Sequence, residues 1–91
     1  MSVIRCHVDL FAYEQTIYEQ NNNNIKIIAK IPMTNLANFI ARYVSENDIN
    51  EIHLVGYEDF TVDIKNQIIE TSKTKYRNNK PLNIVLERKD K

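Results

Sequence analysis

The chain of 91 residues has one glycine, one cysteine, two prolines and no tryptophan. With Gly56 alone, the glycine-rich loops that cradle phosphate in nucleotide-binding proteins are excluded. No glycine-flanked serine and no reactive-cysteine signature marks a catalytic nucleophile. A lone Cys6 cannot close an internal disulfide, and the paired cysteine spacing of a structural zinc site is missing. No apolar run is long enough to span a bilayer, and Met1-Ser2-Val3-Ile4-Arg5-Cys6-His7-Val8-Asp9 has no basic start leading into an apolar stretch. Neither a spanning helix nor a secretory signal is expected, and a cytoplasmic location follows by default.

What is present is a balanced chain: 43% apolar and 26% charged residues, too polar for a membrane protein and too apolar for a disordered one. Residues 1–91 are therefore read as a single domain. So short a chain buries a modest fraction of its surface, which makes a second copy or another protein partner a stabilising complement. Formal net charge is zero, yet residues 1–72 hold five basic and ten acidic side chains, while residues 73–91 hold seven basic and two acidic. Such asymmetry can mark nucleic-acid contact, through Lys73, Lys75 and Arg77. It also suits a helix that starts at Glu58, Asp59 and Asp63 and ends at those same basic residues, as the helix dipole favours.

Ile4, Cys6, Val8 and Leu10 alternate with Arg5, His7 and Asp9, the period of a strand with one buried face. Around Phe11-Ala12-Tyr13 the alternation changes parity, so residues 3–19 read either as one bent strand or as two strands meeting in a turn. Asn21-Asn22-Asn23-Asn24 reads as a hairpin tip, because asparagine tolerates left-handed backbone. Ile25, Ile27, Ala29 and Ile31 then alternate with Lys26, Ile28 and Lys30 until Pro32 ends the strand. Beyond it Leu36, Phe39, Ile40, Tyr43 and Val44 form a helical stripe with Thr34 as its expected cap, ending near Asn47-Asp48 with Ile49 packing back.

From Glu51 to Glu87 the pattern is that of a strand-helix-strand crossover. Ile52-His53-Leu54-Val55-Gly56 and Leu82-Asn83-Ile84-Val85-Leu86 flank a helix with apolar rows Phe60, Ile64, Ile68 and Val62, Ile69, Tyr76. Gly56 is read as a turn residue, and Asn78-Asn79-Lys80-Pro81 as the helix break. The expected fold class is α/β at the α+β boundary: an N-terminal antiparallel hairpin or meander followed by α-β-α-β, giving a mixed sheet with two helices and its central strands in the second half. This order resembles a minimal ribonuclease H-like architecture, in which an antiparallel meander precedes alternating helices and strands.

That resemblance implies a metal-dependent nucleic-acid enzyme, or an inactive nucleic-acid-binding relative, with Asp9 on the first strand and Asp59 (beside Glu58) at the end of the strand after the first helix as the carboxylates to test. His7 and His53, with Cys6 or Asp9, would bind a transition metal only if their strands were neighbours. Against these stands a plainer reading, in which Glu58 and Asp59 start a helix, the histidines are packing residues and Cys6 is a small core side chain. The reading adopted is a small non-catalytic domain for protein-protein interaction or self-association, without cofactor, metal or membrane, with nucleic acid a lesser expectation. Phe11, Tyr13, Tyr18 and Tyr57 are its candidate contact residues, aromatics that fall in loops or where alternation is imperfect. The asparagine- and lysine-rich usage fits a low-GC genome, with phages and mobile elements as the expected origin.

Overall fold

In the computed structural model, which describes residues 2–88, the chain runs β1 (Ser2–His7), β2 (Gln15–Asn21), β3 (Asn24–Ile31), a 3-10 turn (Met33–Asn35), α1 (Leu36–Glu46), β4 (Glu51–Gly56), α2 (Glu58–Thr74) and β5 (Asn83–Arg88). The charged tail expected from Glu87 onward is seen as far as Arg88; residues 89–91 lie outside the described residues. The five strands make one mixed sheet in the order β3-β2-β1-β4-β5. β1 pairs antiparallel with β2 and parallel with β4, β2 pairs antiparallel with β3, and β4 pairs parallel with β5. The α/β sheet with two helices is as the pattern predicted, but the centre is β1 rather than a strand of the second half. The first strand takes the middle because the meander adds to one side of it and the crossovers to the other.

Residues 3–19 resolve into two strands joined by a turn. Ile4 and Cys6 of β1, Ile17 of β2, Ile52 and Leu54 of β4 enter one core with Leu36, Ile40 and Val44 of α1 and Ile64 and Ile68 of α2. Period-two alternation therefore sends Arg5, His53, Val85 and their neighbours to the opposite face, which no helix among the described residues covers. Each fully buried isoleucine or leucine contributes roughly 1.5–3 kcal/mol of transfer free energy, so this single shared face supplies most of the drive for docking both helices.

Three local expectations are corrected. In β3 the ladder shifts between Ile17 and Tyr18, leaving Ile28 as an extra residue, so Ile25 and Ile27 face away from the core at 62% and 53% exposure while Ile28, Ala29 and Ile31 pack on it. Thr34 does not cap α1: it lies in the 3-10 turn, and Asn35 is the cap position without a side-chain bond. The buried row of α2 is Thr61, Ile64, Ile68 and Ser72, whereas Phe60 and Val62 are each 36% exposed. The helix thus presents a narrow stripe to the sheet instead of two apolar rows.

Gly56 has no positive φ. Its value is space: an added Cβ would sit 2.8 Å from the carbonyl oxygen of Val8, a backbone atom with no freedom to swing away. Gly56→Ala is expected to force β4 and the segment after β1 apart and to cost about 1–3 kcal/mol of stability. An unchanged urea midpoint would contradict that close approach.

Candidate functional site

The backbone of Val8 continues past β1, its amide donating to the carbonyl of Val55 at 2.8 Å. This bond brings two connections to one end of the sheet, the turn after β1 and the step from β4 into α2. It is the carboxyl end of the parallel strands, where open α/β sheets generally place their ligands.

The turn is held from inside by Gln15, which is 1% exposed. Its Oε1 accepts from the amide of Asp9 at 2.7 Å, and its Nε2 donates to the carbonyls of Asp9 at 2.8 Å and Ala12 at 3.3 Å. The Asp9 carboxylate closes the loop further by accepting the Phe11 amide at 3.0 Å, and the Ala12 amide returns to the Asp9 carbonyl at 3.2 Å. A buried amide with its polar atoms occupied fixes a loop that would otherwise be floppy. The loop so fixed turns its apolar side chains to solvent: Leu10 is 45% exposed, Phe11 95% and Tyr13 86%. Tyr57 at 51% and Phe60 at 36% flank the start of α2 at this same end.

Of the four predicted contact residues, Phe11, Tyr13 and Tyr57 share this end. Tyr18 does not. It sits at the β2 irregularity on the helix-free face, half-buried, with its ring edge-on to His7 at 6.4 Å. There it borders a shallow cavity of about 210 Å³ with Arg5, His7, Gln20 and Ile25.

The helix-free face carries a chain of charges from three adjacent strands. Arg5 grips Glu87 with both terminal nitrogens, at 2.8 and 3.1 Å. His53 stands between two carboxylates, Nδ1 at 3.1 Å from Glu87 and Nε2 at 2.6 Å from Glu51. A neutral imidazole donates to one of these oxygens and a doubly protonated ring to both. The hydrogen bond from Arg5 holds the Glu87 carboxyl below the usual carboxylate range, with the Arg5 charge and His53 adding to it and burial opposing. Sequence reasoning missed this network and Gln15 alike, because Arg5 and Glu87 are brought together by the sheet order and Gln15 falls on an ordinary polar position.

β1 and β4 are neighbours, as a shared histidine-cysteine site would require, but the side chains diverge. Cys6 is fully buried on the core face, where burial pushes its thiol up to about 12, whereas Arg5 and His53 are paired across the other face with His7 beside them. Asp9 lies in the Gln15-held turn and Asp59 in the first turn of α2. Among the described residues, no three histidine, cysteine, aspartate or glutamate side chains form a group that could hold a metal ion. Lys73 ends α2; Lys75 follows it and donates to Asn38 Oδ1 at 3.0 Å, and Arg77 adopts a left-handed φ of 52°. Among the described residues no helix is long and apolar enough to cross a membrane. No protein-family model matches the chain, and no curated protein matches it.

Because its carboxyl is depressed in the folded state, Glu87 contributes stability above its unfolded value near 4.5, and that contribution disappears as pH falls through the folded value. Glu87→Gln is therefore expected to be less stable than wild type at neutral pH, with the gap closing on acidification below the ordinary carboxylate range. Denaturation curves across pH check this; a gap independent of pH would show that the Arg5 pair contributes nothing. The pair is over a third exposed on the glutamate side, so solvent screens it and the effect is small.

Proposed function

We propose that the protein is a non-catalytic interaction domain that associates with copies of itself through the aromatic end formed by Leu10, Phe11, Tyr13, Tyr57 and Phe60. The observation that carries this reading is the pairing of near-complete exposure at Phe11 and Tyr13 with a turn whose backbone is pinned by buried Gln15. Large apolar side chains gathered at one exposed place mark contact sites. A turn already fixed loses little conformational freedom on docking, and this preorganisation is what turns contact area into affinity.

Two other surfaces are less suited. The helix-free face satisfies its own charges through Arg5, Glu87, His53 and Glu51, and a partner would have to desolvate that network. The β3 edge carries Lys26 and Lys30, and lysines on an edge strand discourage pairing with another edge. In this reading the domain works in the cytoplasm without a cofactor, and its composition fits a phage or mobile-element protein.

Replacing Phe11 and Tyr13 together by alanine is expected to abolish self-association while leaving the fold intact, since neither side chain enters the core. Light scattering over a concentration series reads the mass, and circular dichroism the fold. A double variant that associates as strongly as wild type would place the contact elsewhere, and a wild type that stays monomeric at every concentration would remove the reading.

A further inference from the structure

We infer that the chain assembles head to tail, the aromatic end of one copy seating in a socket at the far end of α2 in the next. This rests on the self-association reading and adds the surface that the aromatic end meets.

The seventeen residues of α2 separate the two ends by about 25 Å. At its start lie Asp9, Glu14, Glu58 and Asp59, all exposed. Arg88 engages Glu58 at 3.4 Å, and among the described residues Asp9, Glu14 and Asp59 pair with no cation. In its last turn lies Lys73, and past its end lie Lys75, Arg77 and Lys80. Asp48 engages Lys80, Lys75 meets the uncharged Asn38 amide and the Tyr76 ring, and Lys73 and Arg77 pair with no carboxylate among the described residues; Glu70 is the one acid on that last stretch of helix. The exposed charges along α2 thus run from acid at its start to base at its end.

The basic end also contains a recess. Ile69, Ser72, Lys73, Asn78, Lys80 and Leu82 help to line a cavity of about 350 Å³. Its apolar wall is Ile69 and Leu82, its rim is cationic, and Ser72 is 2% exposed with an Oγ that lacks any hydrogen-bond partner among the described residues. The segment that frames it is tied down, the Asn78 amide donating to the Ser72 carbonyl at 2.8 Å and the Lys80 amide to Asn78 Oδ1 at 3.1 Å. A preformed recess with an apolar wall and a positive rim matches an aromatic side chain flanked by carboxylates. The turn Asp9-Leu10-Phe11-Ala12-Tyr13-Glu14 is such a segment.

Charge selects this arrangement over a twofold one. Two aromatic ends facing each other would set Asp9, Glu14 and Asp59 against their own copies, and like charges across an interface are costly. Aromatic end against basic end brings opposite charges together, and a contact between two different surfaces repeats into a ring or a filament.

Complementation between two variants tests it. Phe11→Ala/Tyr13→Ala blocks the aromatic end; Lys73→Glu/Arg77→Glu blocks the socket, and all four side chains are exposed, so the core is untouched. Each variant alone is expected to be monomeric by light scattering at concentrations where wild type associates. An equimolar mixture is expected to show the mass of two chains and nothing larger, because each partner keeps one working surface. A socket variant that associates like wild type would overturn the head-to-tail arrangement while leaving self-association standing, as would a mixture that stays monomeric. A monomeric wild type would overturn both.

Discussion

The pairing of β1 with an antiparallel neighbour on one side and a parallel one on the other decides the rest of this molecule. An antiparallel neighbour can follow through a short turn, so β2 arrives at once and brings β3 with it through the Asn22-Asn23 tip. A parallel neighbour demands a long crossover, so α1 has to intervene before β4 returns beside β1, and α2 before β5. Both crossovers pass over the same face, where Ile4 and Cys6 already lie at the centre of the core. Two helices on one side leave the other side of the sheet to polar chemistry, and the Arg5, Glu87, His53 and Glu51 chain fills it.

The same pairing determines what the two ends of the molecule look like. All three parallel strands point toward the Gln15-held turn, and α2 runs back from there toward Lys73. A helix with acids at its start and bases at its finish favours its own dipole, and that local preference gives the two ends of α2 opposite charge. Tyr43, donating to Glu19 at 2.6 Å, ties α1 to β2 on the core side, and that bond raises the tyrosine to about 12. The ends therefore differ in charge and in apolar exposure for reasons that begin with helix formation.

How much of this was legible in the residues depends on the range of the interaction involved. Period-two and period-3.6 patterns act within a few residues, so both helices, the asparagine tip and the strands outside residues 3–19 could be read directly, while within 3–19 the residues left one bent strand and two strands equally open. The β3 irregularity could not, because an extra residue at Ile28 is an agreement between two strands, and it alone sends Ile25 and Ile27 outward. The central place of β1 depends on which ladder each neighbour joins, which the order of elements leaves open. At the candidate site, the surplus of aromatics at Phe11, Tyr13 and Tyr57 was visible as a failure of alternation. The role of Gln15 was hidden, since a glutamine at a strand start has no pattern until the turn folds over it.

The central claim is that the protein presents a rigid aromatic turn to other copies of itself and receives it at the basic end. Amide NMR spectra of the intact chain, followed from dilute to concentrated solution, address it most directly. The expected result is concentration-dependent shifts at Leu10–Tyr13 and Tyr57 together with Ser72, Lys73, Asn78 and Lys80, while Arg5, Tyr18 and His53 on the helix-free face stay fixed. Shifts confined to the helix-free face or to the β3 edge, or spectra that do not change with concentration, would contradict it.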